Sequence, residues 1–593
     1  MRKSKSVYAI SQSFGSIREG KLTALIGPSN SGKSVLLQAL AGRLETNSNS
    51  IVAIKDSEGM HQLTSSESRR NHIGFVSNQD ELLSSVTPRE ALTFSITLRP
   101  TEIVDHGKST TITTSPSNSQ LIEYYLSLFD LEAVADVPFD KLPSLNAKRF
   151  ATIAAEMINE RKILLLDSPL WGLFQVGGYQ FIKTLKKLVA MDPFSGSRLS
   201  GILCSLMQPS SEVLSLFDDV ILISDGGHIM YQGPMTEMSA WFSRFGHDCP
   251  HHYNVSDFAL FVLHSVPVED REMFYGAAKA VFDSQRLDRE SVFSRINTEK
   301  EVRNFVPSCV QCQSSSSAPL KHFQRPKFRT QLTMLILREF RNITRNWRAY
   351  LLTRFVVSIV VSVVMGLVYF QIGRDVNANS SSSLLHAYRG CILVMCCNAM
   401  FANVQATVLA LPLQRKIFQR EYPLNMYSSF AYLLGKVPIE YLLSGAQTMV
   451  QLLISYFLCA LGGNFGIYFL VLMVVTISAD SVALSISCIT DSPMSAIQML
   501  PIIIFPQIIF SGLLVSIQSM PSWISWFQYV CFLPYAMKLL TINEFGCADI
   551  TLFTNNDISC SNIAANATIL VCFAIVFRLV GLVALQFKPK TYK

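Results

Sequence analysis

Residues Gly27-Pro28-Ser29-Asn30-Ser31-Gly32-Lys33-Ser34 spell the pattern G-x-x-x-x-G-K-S, and each residue type has a task in holding a polyphosphate. The glycines let backbone N–H groups wrap a phosphate, and the start of the following helix adds positive potential. Lys33 is placed to reach the β- and γ-phosphates of a nucleoside triphosphate, and Ser34 to ligate its Mg²⁺. The context agrees. The apolar run Leu22–Ile26 reads as a strand feeding the loop, and Val35–Leu40 reads as the helix leaving it.

Such a loop needs a sheet behind it. From Lys21 to about Gly233 short β-like runs alternate with helix-like stretches. Ile73–Val76, Ile163–Leu166, Gly201–Leu206 and Asp219–Ser224 read as buried strands of a mostly parallel sheet. Asp105–Gln120, rich in Ser and Thr, reads as a surface insertion. Met235–His264 reads as helical, and Thr298–Arg325 as linker with Ser314–Ser317 at its centre. Cys309 and Cys312 form one C-x-x-C in that linker, without the second pair a zinc site wants.

The bulk composition is uneven. The chain has 593 residues, too many for one globular domain, and 49% are hydrophobic. The excess lies behind Arg325, in apolar runs long enough to cross a bilayer. The net charge is +7, with cations clustered beside those runs, which favours a membrane flank over nucleic acid. Met1–Gly20 lacks the apolar core of a signal peptide, so the front domain is expected in the cytosol. Phe328–Trp347, with Arg338, Arg341 and Arg345, suits a helix lying at the membrane surface. Six spans are expected near Leu351–Gln371, His386–Leu411, Ser429–Leu461, Phe465–Ile489, Ser495–Ile517 and Ala567–Gln586. Arg415, Lys416 and Arg420 after the second span, and Lys588, Lys590 and Lys593 after the last, fit a cytosolic side. Between the fifth and sixth runs, Trp523, Trp526 and Tyr529 suggest an aromatic belt or re-entrant element. Cys547 and Cys560 fall on the outer side, where oxidation is allowed, and are expected to pair. The sequons at Asn379 and Asn566 fall on the same side, the second too near the membrane for use.

A nucleotide-binding domain ahead of six spans, with these motifs, resembles the G-type (White/pleiotropic-drug-resistance-like) ABC half-transporters over nearly the whole chain. Leu22–Ser29 followed by Leu40-Ala41-Gly42-Arg43 is similar to the family's opening, although little precedes it. Gln208-Pro209-Ser210-Ser211-Glu212 resembles the segment after the family's switch histidine. Phe418-Gln419-Arg420-Glu421, Phe510-Ser511-Gly512 and Asn543-Glu544-Phe545 resemble its membrane-half landmarks. The resemblance implies an α/β P-loop NTPase (ABC ATPase) domain over 1–265, a linker over 266–327 and an all-α six-helix transmembrane domain over 328–593. It implies ATP and Mg²⁺ as cofactors and a second half-transporter as partner. The cargo would be an amphipathic lipid, sterol or drug-like molecule moved across the bilayer.

The same resemblance exposes departures. In this family two domains sandwich two nucleotides, each site combining one subunit's phosphate loop with the other's signature motif. Asp167, ending Ile163–Leu166, stands at the Mg²⁺-supporting carboxylate. Ser168 stands where the family has a catalytic Glu, and losing a positioned base costs about 10²–10⁴-fold. Met207 stands at the switch histidine, and Phe174 where an Asp follows Gly172-Leu173. Leu142-Pro143-Ser144-Leu145 occupies the place of L-S-G-G; Pro143 lacks an N–H, and Leu145 adds bulk where close approach is needed. Asn78, or Gln79 with a one-residue slip, occupies the position of the Mg²⁺-coupling Gln. ATP binding without efficient hydrolysis is the expectation, with a regulatory pseudo-transporter subunit supporting a competent partner as the alternative.

Three charges fall inside spans. Lys436 and Glu440, spaced i, i+4, are expected to serve structure, by pairing or by Lys436 snorkelling to the near cytosolic end, and Asp480 has no evident partner nearby. The resemblance implies a substrate path along spans two and five, which by position points to Asn398, Phe401, Phe505 and Ile508.

Overall fold

The structure, a computed structural model, describes residues 13–587 apart from 103–117, 191–200, 285–322, 375–381, 513–520, 554–562 and stretches of one to three residues elsewhere. It comprises two units, Met1–Pro326 with Pro423–Met426, and Lys327–Tyr422 with Tyr427–Lys593. The insertion at Asp105–Gln120 lies mostly outside the described residues; its last three residues fall in the helix Asn118–Leu128. The Ser-rich linker, with Cys309 and Cys312, lies outside up to residue 322, its end carrying the short strand Phe323–Gln324, and the Asn379 sequon lies wholly outside.

The main sheet of the first unit has six strands: β1 (Lys21–Ile26), β2 (Ile73–Val76), β3 (Ile163–Leu166), β4 (Gly201–Leu206), β5 (Asp219–Ile223) and β6 (Ile229–Pro234). Their order is β2-β3-β4-β1-β5-β6. All neighbours are parallel except β5 and β6, which pair antiparallel at the edge. Alternation explains the largely apolar character of the strands. Leu22, Ala24 and Ile26 of β1 and Leu164 and Leu166 of β3 enter one core, while Leu25 and Leu165 enter a second core on the other face. A strand buried on both faces favours apolar residues throughout, with Thr23 of β1 and Ser205 of β4 as polar exceptions that are themselves fully buried. The expected continuous helix over Met235–His264 is not found. A short helix, Met238–Ser243, stops before Gly246, whose φ of 81° is left-handed, and the chain resumes as a helix only at Val255. Gly246 and Pro250 break what hydropathy alone reads as one run.

The second unit is helical. Helix α1 belongs to the first unit (Lys33–Leu40), as does α2 (Leu145–Met157). The second unit carries α3 (Phe328–Arg345), α4 (Thr353–Val368), α5 (Ser382–Glu421), α6 (Ser429–Cys459), α7 (Phe465–Ile489), α8 (Pro493–Ile509), α9 (Leu533–Phe553) and α10 (Ile563–Phe587). Among the described residues, five helical stretches are long and apolar enough to span a bilayer: Arg354–Arg374, His386–Leu409, Ser429–Cys459, Phe465–Ile489 and Ile563–Gln586. The run expected as a fifth span, Ser495–Ile517, coincides with α8, an apolar helix of 17 residues; 513–520 lie outside the described residues. Trp523, Trp526 and Tyr529 sit exposed on a short helix and a 3-10 turn before α9.

The charges within the helices find partners other than those expected. Lys436 and Glu440 do not pair. Lys436 Nζ donates to Gln414 Oε1 (2.5 Å) and lies over the Tyr432 ring, whereas Glu440 meets Arg578 of α10 at 3.4 Å. Spacing along one helix lost here to neighbours across helices. Asp480 accepts from Thr407 Oγ1 (3.0 Å) and Ser444 Oγ (3.3 Å), and Ser444 also accepts from Arg354 (3.0 Å).

At the other end of α5, Glu421 takes both oxygens to Arg338 of α3 (2.7 and 3.0 Å) and accepts from Tyr427 (2.8 Å), all three buried or nearly so. Removing one member of a buried pair leaves the other charge stranded. Glu421→Ala should therefore destabilise the protein by about 3–5 kcal/mol, more than Glu421→Gln, which keeps the shape. Thermal unfolding of the detergent-solubilised chain measures the order.

Candidate nucleotide site

β1 delivers the chain into Gly27–Gly32, and α1 begins at Lys33. Two glycines are dictated by geometry. A Cβ on Gly27 would lie 2.4 Å from the Ile223 carbonyl oxygen of the adjacent strand, and Gly32 has φ 92°. Asn30 also adopts a left-handed φ, 66°, so the loop curls with Ser31 N–H bonded to Pro28 O at 3.3 Å. Lys33 lies buried under this curl. Its ammonium donates to Gly27 O (2.7 Å), Pro28 O (2.6 Å) and Ser31 Oγ (3.4 Å). Burial pulls its pKa below the ordinary lysine range, opposed by the negative charges of Asp167 and Asp225.

Ser34 Oγ donates to Asp167 Oδ1 at 3.0 Å. Asp167 is buried just past β3, and its N–H bonds Val76 O of β2 at 2.9 Å. The same Oδ1 accepts from Ser205 Oγ of β4 at 2.8 Å. Ser205 was not singled out from the sequence. It lies on β4 two residues before the Met207 position, and only the pairing of β3 with β4 reveals what it touches. The hydroxyl of Ser34 spends its hydrogen on Asp167 and keeps its lone pairs. Hydroxyl and carboxylate oxygens make a hard donor set, which suits a small divalent cation accompanying a polyphosphate.

Ser168 follows Asp167 with φ 47°, a left-handed conformation that costs a non-glycine residue. Its N–H is held by Ser205 Oγ at 2.7 Å, and the two hydroxyls are 3.4 Å apart. Met207 follows β4 and is 47% exposed. Phe174 is 90% exposed, with Trp171 also solvent-facing. Asn78 is half-buried beyond β2; Gln79 lies outside the described residues. Pro143 and Ser144 are exposed, and Ser144 Oγ accepts from Ala147 N at 3.1 Å, capping α2, which starts at Leu145. Leu142 is buried, and Leu145 packs toward Gly172.

The membrane-half candidates divide. Asn398 is buried and donates to Ser362 Oγ of α4 at 3.0 Å, so its amide serves a helix contact. Phe401 and Phe505 face outward, and Ile508 packs half-buried against the helical core. The expected Cys547–Cys560 bridge falls outside the described side chains.

Comparison with known proteins agrees with this geometry. Residues 11–171 match the family described as ABC transporter. Residues 330–545 match ABC-2 type transporter, and a second family of that description matches 207–279. The chain thus joins an ABC ATPase domain to a helical ABC-2 membrane domain, and it is an ATP-binding ABC transporter. Its relatives place it beside the G-family half-transporters. It is 28% identical over 571 residues to the broad substrate specificity ATP-binding cassette transporter ABCG2 of Sus scrofa, covering 91% of this chain and 81% of that protein. It is 26% identical to Protein white of Drosophila melanogaster (92% and 74% covered) and 26% identical to ABC transporter G family member 7 of Arabidopsis thaliana (92% and 72%).

Because Ser205 holds Asp167 Oδ1, Ser205→Ala should weaken Mg²⁺-dependent nucleotide affinity by about tenfold while leaving affinity in EDTA unchanged. Ser205→Thr should restore it. Titration with a fluorescent ATP analogue, with and without Mg²⁺, measures both.

Proposed function

We propose that this chain is one subunit of a dimeric G-type transporter, binding Mg-ATP through Lys33, Ser34 and Asp167 and moving an amphipathic lipid, sterol or drug-like molecule across a membrane. The observation that carries the reading is the intact cradle. The curled loop, the buried Lys33 and the Ser34–Asp167 hydrogen bond are all in place. Mg²⁺ would be held by Ser34 and Asp167 and would supply neutralisation of the phosphate charge. The nucleotide-binding domain, 1–265, lies in the cytosol in this reading, the compartment that the positive-inside rule assigns to the cation-rich loops.

The same site supports slow or absent hydrolysis. Ser168 offers a hydroxyl where a carboxylate base is expected, and Met207 offers an exposed thioether that neither donates nor accepts strongly. The two halves of the defect fall on different sites of a dimer. Ser168 and Met207 affect the site built on this chain's own loop, while Pro143, Ser144 and Leu145 affect the site built on the partner's. A homodimer then has no complete site. A heterodimer with an intact half-transporter has one site lacking its base and another lacking its signature. This is the reason to carry a second reading, a regulatory subunit supporting a competent partner.

One experiment addresses both. The full-length chain, purified alone in lipid, should bind a fluorescent ATP analogue, and Lys33→Ala should abolish that binding. Its ATP turnover should lie about 10²-fold or more below that of an intact G-type half-transporter. Turnover at the intact enzyme's rate, lost in Lys33→Ala, overturns the hydrolysis defect. Binding indifferent to Lys33→Ala overturns the nucleotide reading itself.

A further inference from the structure

We propose that the outward face of α3 is a docking surface for anionic phospholipid headgroups. α3 turns two unlike faces outward and inward. Its inner face is committed to the bundle. Gln331 Oε1 accepts from Ser428 N at 3.0 Å, Leu335 packs so closely on Gly435 that a Cβ there would lie 2.8 Å from it, and Arg338 pairs with Glu421. The outer face carries two adjacent stripes at helical spacing. One is apolar: Leu337 (37% exposed), Phe340 (53%) and Trp347 (49%), the last just past the helix end. The other is cationic: Arg345 and Arg348, both exposed, with Arg341 half-buried beside them.

Burial and charge both point to lipid. Large apolar side chains exposed beside arginines suit a bilayer interface, where the rings enter the acyl boundary and the guanidiniums stay at phosphate level. The chain passes from α3 into the first span, whose apolar stretch opens at Arg354, so this face lies at the membrane surface by connectivity. Trp347 carries the Arg348 guanidinium over its ring at 5.5 Å, joining the two stripes. The anionic preference comes from the imbalance of charge. The helix has one carboxylate, Glu339, and by helical geometry it points away from the arginine stripe. Arg341 and Arg345 also contact neighbouring protein groups; a guanidinium has five N–H donors and can add a phosphate to such contacts. Each arginine near an anionic surface contributes about fivefold in relative affinity.

The test uses the full chain in nanodiscs of phosphatidylcholine, doped with equal mole fractions of brominated phosphatidylserine or brominated phosphatidylcholine. Bromine quenches nearby tryptophan, and subtracting the Trp347→Phe signal isolates Trp347. The expected result is stronger quenching by brominated phosphatidylserine. That excess should be lost in R341Q/R345Q/R348Q, kept in R341K/R345K/R348K, and reduced in the unmutated protein by high salt. Equal quenching by both lipids, or an excess indifferent to salt and to the glutamine substitutions, overturns the anionic preference. No quenching by either lipid means protein or solvent covers the face, and overturns the docking surface altogether.

Discussion

One carboxylate oxygen organises the nucleotide half. Asp167 Oδ1 receives hydroxyls from two directions, Ser34 at the start of α1 and Ser205 within β4. This is possible because β3, β4 and β1 are consecutive parallel neighbours whose carboxyl ends stop at nearly the same level, with Leu166 opposite Cys204 and Ile26 opposite Leu206. Ligands of open α/β sheets collect outside that edge. A one-residue slip of β3 would turn Leu164 and Leu166 out of their core and move Asp167 off both hydroxyls. Core burial therefore enforces the site's geometry. The register also fixes where Ser168 and Met207 lie. Each is a step or two beyond a strand whose pairing is set, and the Ser168 N–H is tied to the same Ser205.

The signature segment has a local logic of its own. Ser144 behaves as an ordinary helix cap, using its oxygen for the Ala147 N–H. That satisfies one of the donors a helix start leaves open. Pro143 has no N–H to offer, and the Leu145 side chain occupies space next to Gly172. The segment is a capped helix entrance, with the Ala147 N–H engaged by Ser144 Oγ. The Ser144 cap contributes about 1 kcal/mol to α2.

The sheet was legible because its signals are local. Ile163–Leu166 and Gly201–Leu206 are short apolar runs between helices, and the phosphate loop is one contiguous motif. Its neighbours Lys33, Ser34 and Asp167 could be named for the same reason. What the sequence did not disclose depends on contacts between distant segments. Ser205 is an unremarked strand serine until β4 is placed beside β3. β6 closes the sheet edge antiparallel, which apolar runs do not specify. Lys436 and Glu440 look like a pair on one helix, yet Gln414 and Arg578 reach them from other helices. Asp480 lacks a partner within its own helix because its partners, Thr407 and Ser444, lie on α5 and α6.

Those distant contacts constrain how the membrane half moves. Polar groups in hydrocarbon have no water to turn to, so they must be satisfied within the bundle. Arg354 of α4 donates to Asn403 of α5 and to Ser444 and Gln447 of α6, and Ser444 passes the network on to Asp480 of α7. Thr407 of α5 closes it on the other oxygen of Asp480. A rearrangement that keeps α4, α5, α6 and α7 together leaves all of these bonds in place. One that parts them strands a guanidinium or a carboxylate in the low-dielectric interior, at a cost of roughly several kcal/mol per ion. The four helices consequently act as one body. Rearrangement is cheaper at the joints to α8, a shorter helix that carries Pro501 and Pro506 in its interior and is fastened at its far end by Gln507 accepting from Phe532 N. A bundle whose charged side chains are shared among four helices is one in which a push on any of the four is felt by all.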